Sequence, residues 1–271
     1  MFQIYELHHI ITNVLNSWGS ERMARKQKTA DDFIHHLFVH MNDVDHFVIY
    51  SGLTLKQFIS SVDPIPNLLL LKHGYEDGSF NMHTQFDFVS FDELTKFVKR
   101  MGDVDGDLCW IDFVSEKDVN QLTSLEQAEL LYLSHKKEPI HSPFFTKLQN
   151  RYVYYSAEND KLTKVYYRYL NDSEYLVSNL FNQLIKEKEG NGSFWRRKTK
   201  DAIPTLDPIV LKAYRPFVKE GALLSLYKME KQNNSYGVEI RTLSDYDYPD
   251  EVWDDLEVIL KQNYDELIKI T

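Results

Sequence analysis

HFVIYSGLTLKQFISSVDPIPNLLLLKHG, residues 46–74, decides how the chain is read, because the hydrophobic period changes twice within it. His46 to Tyr50 has the composition of a strand, Thr54-Leu-Lys-Gln57 is a capping box that opens a short helix, and Leu68 to Lys72 is a second strand. Continuing outward, Asp77-Gly78 marks a turn and a third strand runs through Phe88. Ser90-Phe-Asp-Glu93 then caps a helix carrying Phe91, Leu94, Phe97 and Val98, closed by Lys99, Arg100 and Gly102. Leu108 to Val114 supplies a fourth strand. The resulting β-α-β-β-α-β order predicts a ferredoxin-like layer, an arrangement that hosts many functions and identifies none.

Upstream, Ile4, Leu7, Ile11, Val14 and Trp18 recur at steps of three and four, which predicts a helix stopped at Gly19. After a basic connector with Arg22, Arg25, Lys26 and Lys28, Thr29 suits an N-cap and Asp31 and Asp32 suit a first turn. Phe33, Ile34, Leu37, Phe38 and Met41 then form an apolar face. The expectation is an N-terminal helical hairpin, which with the ferredoxin-like layer makes a unit of residues 1–118.

Downstream, Leu125 to His135 predicts a helix, and Pro139 and Pro143 bound the loop behind it. Tyr152 to Ser156 and Leu162 to Leu170 flank the turn Glu158-Asn-Asp160 and precede a helix with Leu176, Leu180, Phe181 and Ile185. Leu223 to Glu230 and Tyr236 to Leu243 repeat the hairpin pattern and precede a C-terminal helix with Val252, Leu256, Ile259, Leu260 and Leu267. Two antiparallel β-hairpin-plus-helix units therefore make a second unit, residues 119–271. Between them Gly190-Asn-Gly-Ser193 leads into a mobile basic loop near 190–201, and Asp207-Pro208 opens a further helix. The fold class is α+β.

Composition bounds the chemistry. The 271 residues hold 41 acids against 31 bases, a net charge of −10, which repels a polyanion and disfavours nucleic acid as the principal partner. Aromatics make up 14% of the chain, too many for a disordered segment. The lone Cys109 permits no internal disulfide, and no apolar run is long enough for a bilayer. The expected setting is the cytoplasm, of a bacterial type, with no membrane contact.

Asp32, His36 and His40 stand four apart, which on a helix stacks them along one solvent face with the His-x3-His spacing that holds zinc or another divalent ion. No other cofactor is expected. Trp195, Arg196, Arg197 and Lys198 join charge to rings on a loop, the combination that grips phosphates and stacks bases. His135 and His141 bracket Glu138-Pro139 past a helix end, where either could act as acid or base, or simply answer the helix dipole. Glu239-Ile-Arg241 sets an acid and a base on one strand face but lacks the Lys and upstream Asp that metal-nuclease chemistry would need. Asp103, Asp105 and Asp107 begin like a calcium loop, but Leu108 and Val114 stand where Gly and Glu are required. Phosphate loops, dinucleotide fingerprints and nucleophile elbows are absent.

The function these observations favour is a non-catalytic protein-binding or regulatory module. Tyrosines on Arg151-Tyr-Val-Tyr-Tyr155 and Val165-Tyr-Tyr-Arg-Tyr169 would anchor a partner, and the acidic surface would steer toward basic clients. Self-association through the Ile4–Trp18 stripe is a further expectation. The alternatives are a metal-dependent enzyme using the His/Asp helix face, and a phosphate or nucleic-acid binder using the 194–200 loop.

Overall fold

The structure is a computed structural model that describes residues 33–72, 75, 77–101, 107–156, 162–190, 203–229 and 235–242, with the backbone of 266–270. Its centre is one eleven-stranded sheet. In chain order the strands are β1 (Phe33–Asn42), β2 (Phe47–Ser51), β3 (Asn67–Leu70), β4 (Ser79–Phe80), β5 (Asp87–Val89), β6 (Leu108–Phe113), β7 (Tyr152–Ser156), β8 (Leu162–Tyr167), β9 (Ala222–Lys228), β10 (Tyr236–Thr242) and β11 (Glu266–Ile270). They lie in the order β11-β10-β9-β1-β2-β8-β7-β6-β3-β5-β4, and every ladder is antiparallel. The helices are α1 (Leu55–Ser61), α2 (Phe91–Met101), α3 (Glu116–Val119), α4 (Ser124–Lys136), α5 (Asn171–Gly190), α6 (Pro208–Lys212) and α7 (Arg215–Glu220).

The α+β class stands, and three elements of the expected arrangement are corrected. The second arm of the hairpin is β1, a central strand paired with β2 and β9. Leu37, Val39 and Met41 point to one core while Phe38 is 2% exposed on the other face, so burial on both faces erases the alternation that marks a strand. The remaining apolar positions then mimic a helical stripe. The first arm, Ile4 to Trp18, lies outside the described residues.

The ferredoxin-like layer is also replaced. That topology would set β2 between β6 and β5, but the slot holds β3, and β2 lies across the β7–β8 hairpin. The run Leu68-Leu-Leu70 has no polar side, with none of the three residues above 3% exposed, so it is stable only where both faces are covered. Finally, Leu267 belongs to β11 and pairs with Glu239 where a helix was expected. Val252 to Leu260 lies outside the described residues. The expected division at 118/119 falls inside the sheet, since β1–β9, β2–β8 and β6–β7 each join strands from opposite sides of it.

The Thr54 capping box and the Asp207 helix start hold as read, and the structure adds a second box and a glycine turn. The Thr54 hydroxyl accepts from Gln57 N at 3.2 Å while Gln57 Oε1 accepts from Thr54 N at 2.9 Å, and Thr123 and Glu126 repeat the box at α4. Asp207 caps α6 through Ile209 N at 2.8 Å. Gly52, at φ +81°, joins β2 to α1, and a Cβ there would stand 2.4 Å from the His36 carbonyl oxygen.

One face of the sheet carries Val39, Val48, Tyr154, Leu224 and Val238 beneath α1, α2, α5, α6 and α7. The other carries Leu69, Ile111, Val153, Tyr155 and Tyr166 beneath α3, α4 and the loop through Phe145 and Leu148. Each such side chain fully buried contributes about 1.5–3 kcal/mol. None of Tyr152, Tyr154, Tyr155, Tyr166 and Tyr167 is more than 2% exposed. Of the six tyrosines expected to anchor a partner, these five are therefore core residues, because helices cover both sides of their strands, and Tyr169, beyond the end of β8, is exposed.

Candidate functional site

On this second face, between the β1–β2 turn and the segment after α4, lies an open cleft of 650 Å³. Its floor is the outward row Lys164, Tyr166 and Arg168 of β8 and the residue beyond it, with Phe47 of β2 alongside. One wall is Val44, Asp45 and His46; the other runs from Glu138 to Phe144.

Both walls are fixed by local chemistry. Asn42 Oδ1 accepts from Val44 N at 3.0 Å and Asp45 N at 2.8 Å, an Asx arrangement, and His46 completes the turn with φ +58°. Lys137, at φ +59°, ends α4 and aims its carbonyl at the floor, where it accepts from Tyr166 Oη at 3.0 Å and Lys164 Nζ at 3.2 Å. Buried Asn150 holds the far wall by donating to Pro143 O at 3.1 Å and accepting from Phe145 N at 2.8 Å. Its own carbonyl receives Arg168 Nε at 2.7 Å.

The floor holds two half-buried cations whose direct contacts are rings and carbonyls, with Asp45 and Glu138 on the walls around them. Lys164 Nζ is 4.2 Å from the Phe47 ring centroid and 4.7 Å from that of Tyr166, and the Arg168 guanidinium is 5.2 Å from that of Phe144. Such cation–π contacts compensate part of the lost hydration, about 0.5–2 kcal/mol each. Among the described residues neither cation has a carboxylate within ion-pair distance, and Arg168 Nη2 is buried without a hydrogen-bond partner. Burial holds the Lys164 ammonium below the ordinary lysine range, against the pull of Glu138 and Asp45.

Of the residues singled out in the sequence, His141 lines this cleft and is tied to Glu129 of α4 at 2.9 Å. His135 is exposed on the last turn of α4 and stays outside it. The helix face expected for Asp32, His36 and His40 does not form. On β1 the two histidines share a face but stand ~13 Å apart, out of reach of a common ion. Asp32 lies outside the described residues, as do Trp195, Arg196, Arg197 and Lys198. Among the described residues no group of three or more His, Cys, Asp or Glu is placed to hold a metal.

His36 instead joins a different candidate. Its Nδ1 is 2.9 Å from Ser225 Oγ, and Ser225 stands opposite Glu239 on β10, with Arg241 two positions along. Burial, reinforced by His35, pushes His36 down to about 4, so the imidazole is neutral near pH 7. Glu239 and Arg241 are 4% and 3% exposed, an interior polar row. Cys109 is fully buried, and burial pushes its thiol up, away from the thiolate a nucleophile requires.

Lys164, Arg168, Phe47 and Asn150 went unread in the sequence. The signal available was a period of two, Lys164, Tyr166 and Arg168, placing charge on a strand face that its aromatic neighbours marked as covered. Among the described residues no helix is long and apolar enough to cross a membrane. No family model matches the chain, and neither a curated protein nor a solved structure matches it.

Proposed function

We propose that the protein is a non-catalytic module that binds another protein through the cleft between the β1–β2 turn and residues 138–144. The observation that carries this reading is the makeup of the cleft, an open space whose floor holds charge without partners while its margins expose large apolar side chains. Val44 on one wall is 85% exposed, and Ile140, on the segment that forms the other, 55%. Exposed apolar side chains beside an arginine and ring faces are the contact types that protein interfaces favour, and they exceed what a free ion needs. Leu125, Leu131 and Tyr132 of α4 also face solvent, and the Glu129–His141 bond ties the wall to that helix.

A photo-reactive benzoylphenylalanine in place of Val44 tests this in the native cell. The expected result is a discrete cross-linked protein adduct, absent when the same residue replaces the exposed Tyr175 of α5. No adduct from Val44, or the same adducts from both positions, would remove the reading.

A further inference from the structure

We infer that the cleft receives an acidic, extended segment of the partner protein, one carboxylate seated at Lys164 and another at Arg168, an assignment that rests on the docking reading above. The chain has ten more acids than bases, 41 against 31, so a shortage of carboxylates does not explain two half-buried cations left without one. Other cations at comparable burial are neutralised internally: Arg215 by Glu174, and Arg151 by Asp63 and Asp172. Lys164 and Arg168 touch ring faces and the carbonyls of Lys137 and Asn150, while Asp45 and Glu138 on the cleft walls act on Lys164 only from beyond ion-pair distance, so the contact positions at both cations stay open. Those dipoles orient each cation and leave its charge for an external anion.

The spacing selects the form of that anion. Lys164 and Arg168 are alternate neighbours of Tyr166 on one strand face, their Cα atoms ~13 Å apart. Each head group is tethered to its own ring and carbonyl, so the two do not converge on a single phosphate. Acidic side chains four residues apart on an extended peptide match the separation. Single-stranded nucleic acid fits less well, because the ring faces that would stack bases are already occupied by the cations. The net charge of −10 slows the approach of an acidic partner, but beyond ~8 Å it is screened, and at contact the fixed cations decide.

The test is fluorescence anisotropy of labelled peptides with the full chain. A serine–glycine peptide carrying two glutamates four residues apart is expected to bind more tightly than one with adjacent glutamates and far more tightly than hexaserine. Its affinity should fall as NaCl rises from about 50 to about 500 mM, and fall about tenfold or more in Lys164→Met and Arg168→Met. In the unaltered protein the same peptide should slow phenylglyoxal modification of Arg168, a readout that does not depend on any variant folding. Binding no tighter than hexaserine, affinity unchanged in both variants, or equal competition by inorganic phosphate or by oligothymidylate would each overturn the inference. Peptide failure alongside retained cross-linking at position 44 would discard the acidic chemistry alone; loss of both would discard docking as well.

Discussion

Two parts of this molecule treat buried positive charge in opposite ways. At the start of α5, Arg215 Nη2 lies 2.9 Å from Glu174 Oε2, and Arg151 bridges Asp172 at 2.8 Å and Asp63 at 2.9 Å. In the cleft, Lys164 and Arg168 rest on Phe47, Tyr166 and Phe144. The first arrangement is complete within the chain and serves folding. The second leaves both cations without a carboxylate in contact, Asp45 and Glu138 standing off on the walls, and so marks where something from outside belongs. A cation's lack of a partner is informative here because its counterparts elsewhere have one.

The comparison breaks most visibly if internal pairing turns out to be unimportant. Glu174→Gln strands the Arg215 guanidinium, whose side chain is 26% exposed, and should cost about 2–3 kcal/mol in urea unfolding, below the cost at a fully buried pair. A loss indistinguishable from zero would erase the contrast.

Asp112 sharpens the argument from the opposite sign. Its carboxylate accepts Tyr152 N at 2.7 Å and Arg151 N at 3.0 Å, yet burial pushes its pKa up to about 6. A carboxyl raised in the folded state favours folding when protonated, so its contribution is full below about pH 4 and lost as pH rises through about 6. Unfolding free energies of the native protein relative to Asp112→Asn should therefore fall between those limits by an amount on the order of 2 kcal/mol. A difference that grew with pH would show that the amide donors outweigh burial.

Lys164→Met should alter stability by no more than about 1 kcal/mol, because the cation–π contacts that are lost are offset by relief of the ammonium's desolvation and no ion pair is broken. Substantial destabilisation would mean that the cation is structural. The smallest effect is expected at Asp77→Asn, whose partner Arg100 is 3.4 Å away on the surface; the thermal midpoint should not move measurably.

How much was legible in sequence follows from the range of the interactions involved. The capping box at Thr54 and the β7–β8 and β9–β10 hairpins rest on contacts between near neighbours, and the sequence states them. β1 failed because Phe33, Ile34, Leu37, Phe38 and Met41 satisfy a helical period, while what makes the segment a central strand is its ladder to β9, far along the chain, on the edge opposite β2. His36 and His40 fell with it, since their spacing supports a shared ion only on a helix. His141 was singled out with His135 as bracketing Glu138-Pro139 past a helix end, and it lines the cleft. Lys164 and Arg168 were missed because their significance lies in a carboxylate that is not there, and pairing across the fold is invisible until the strands are placed.

The interleaved sheet also determines what would follow a break in the chain. A nick after residue 118 would part β1 from β9, β2 from β8 and β6 from β7, and each piece would carry bare rows of amide donors and acceptors. Separately produced halves should clump, whereas halves made together have three matching seams along which to knit. The arrangement suits a split reporter in which light or colour returns only when both pieces meet.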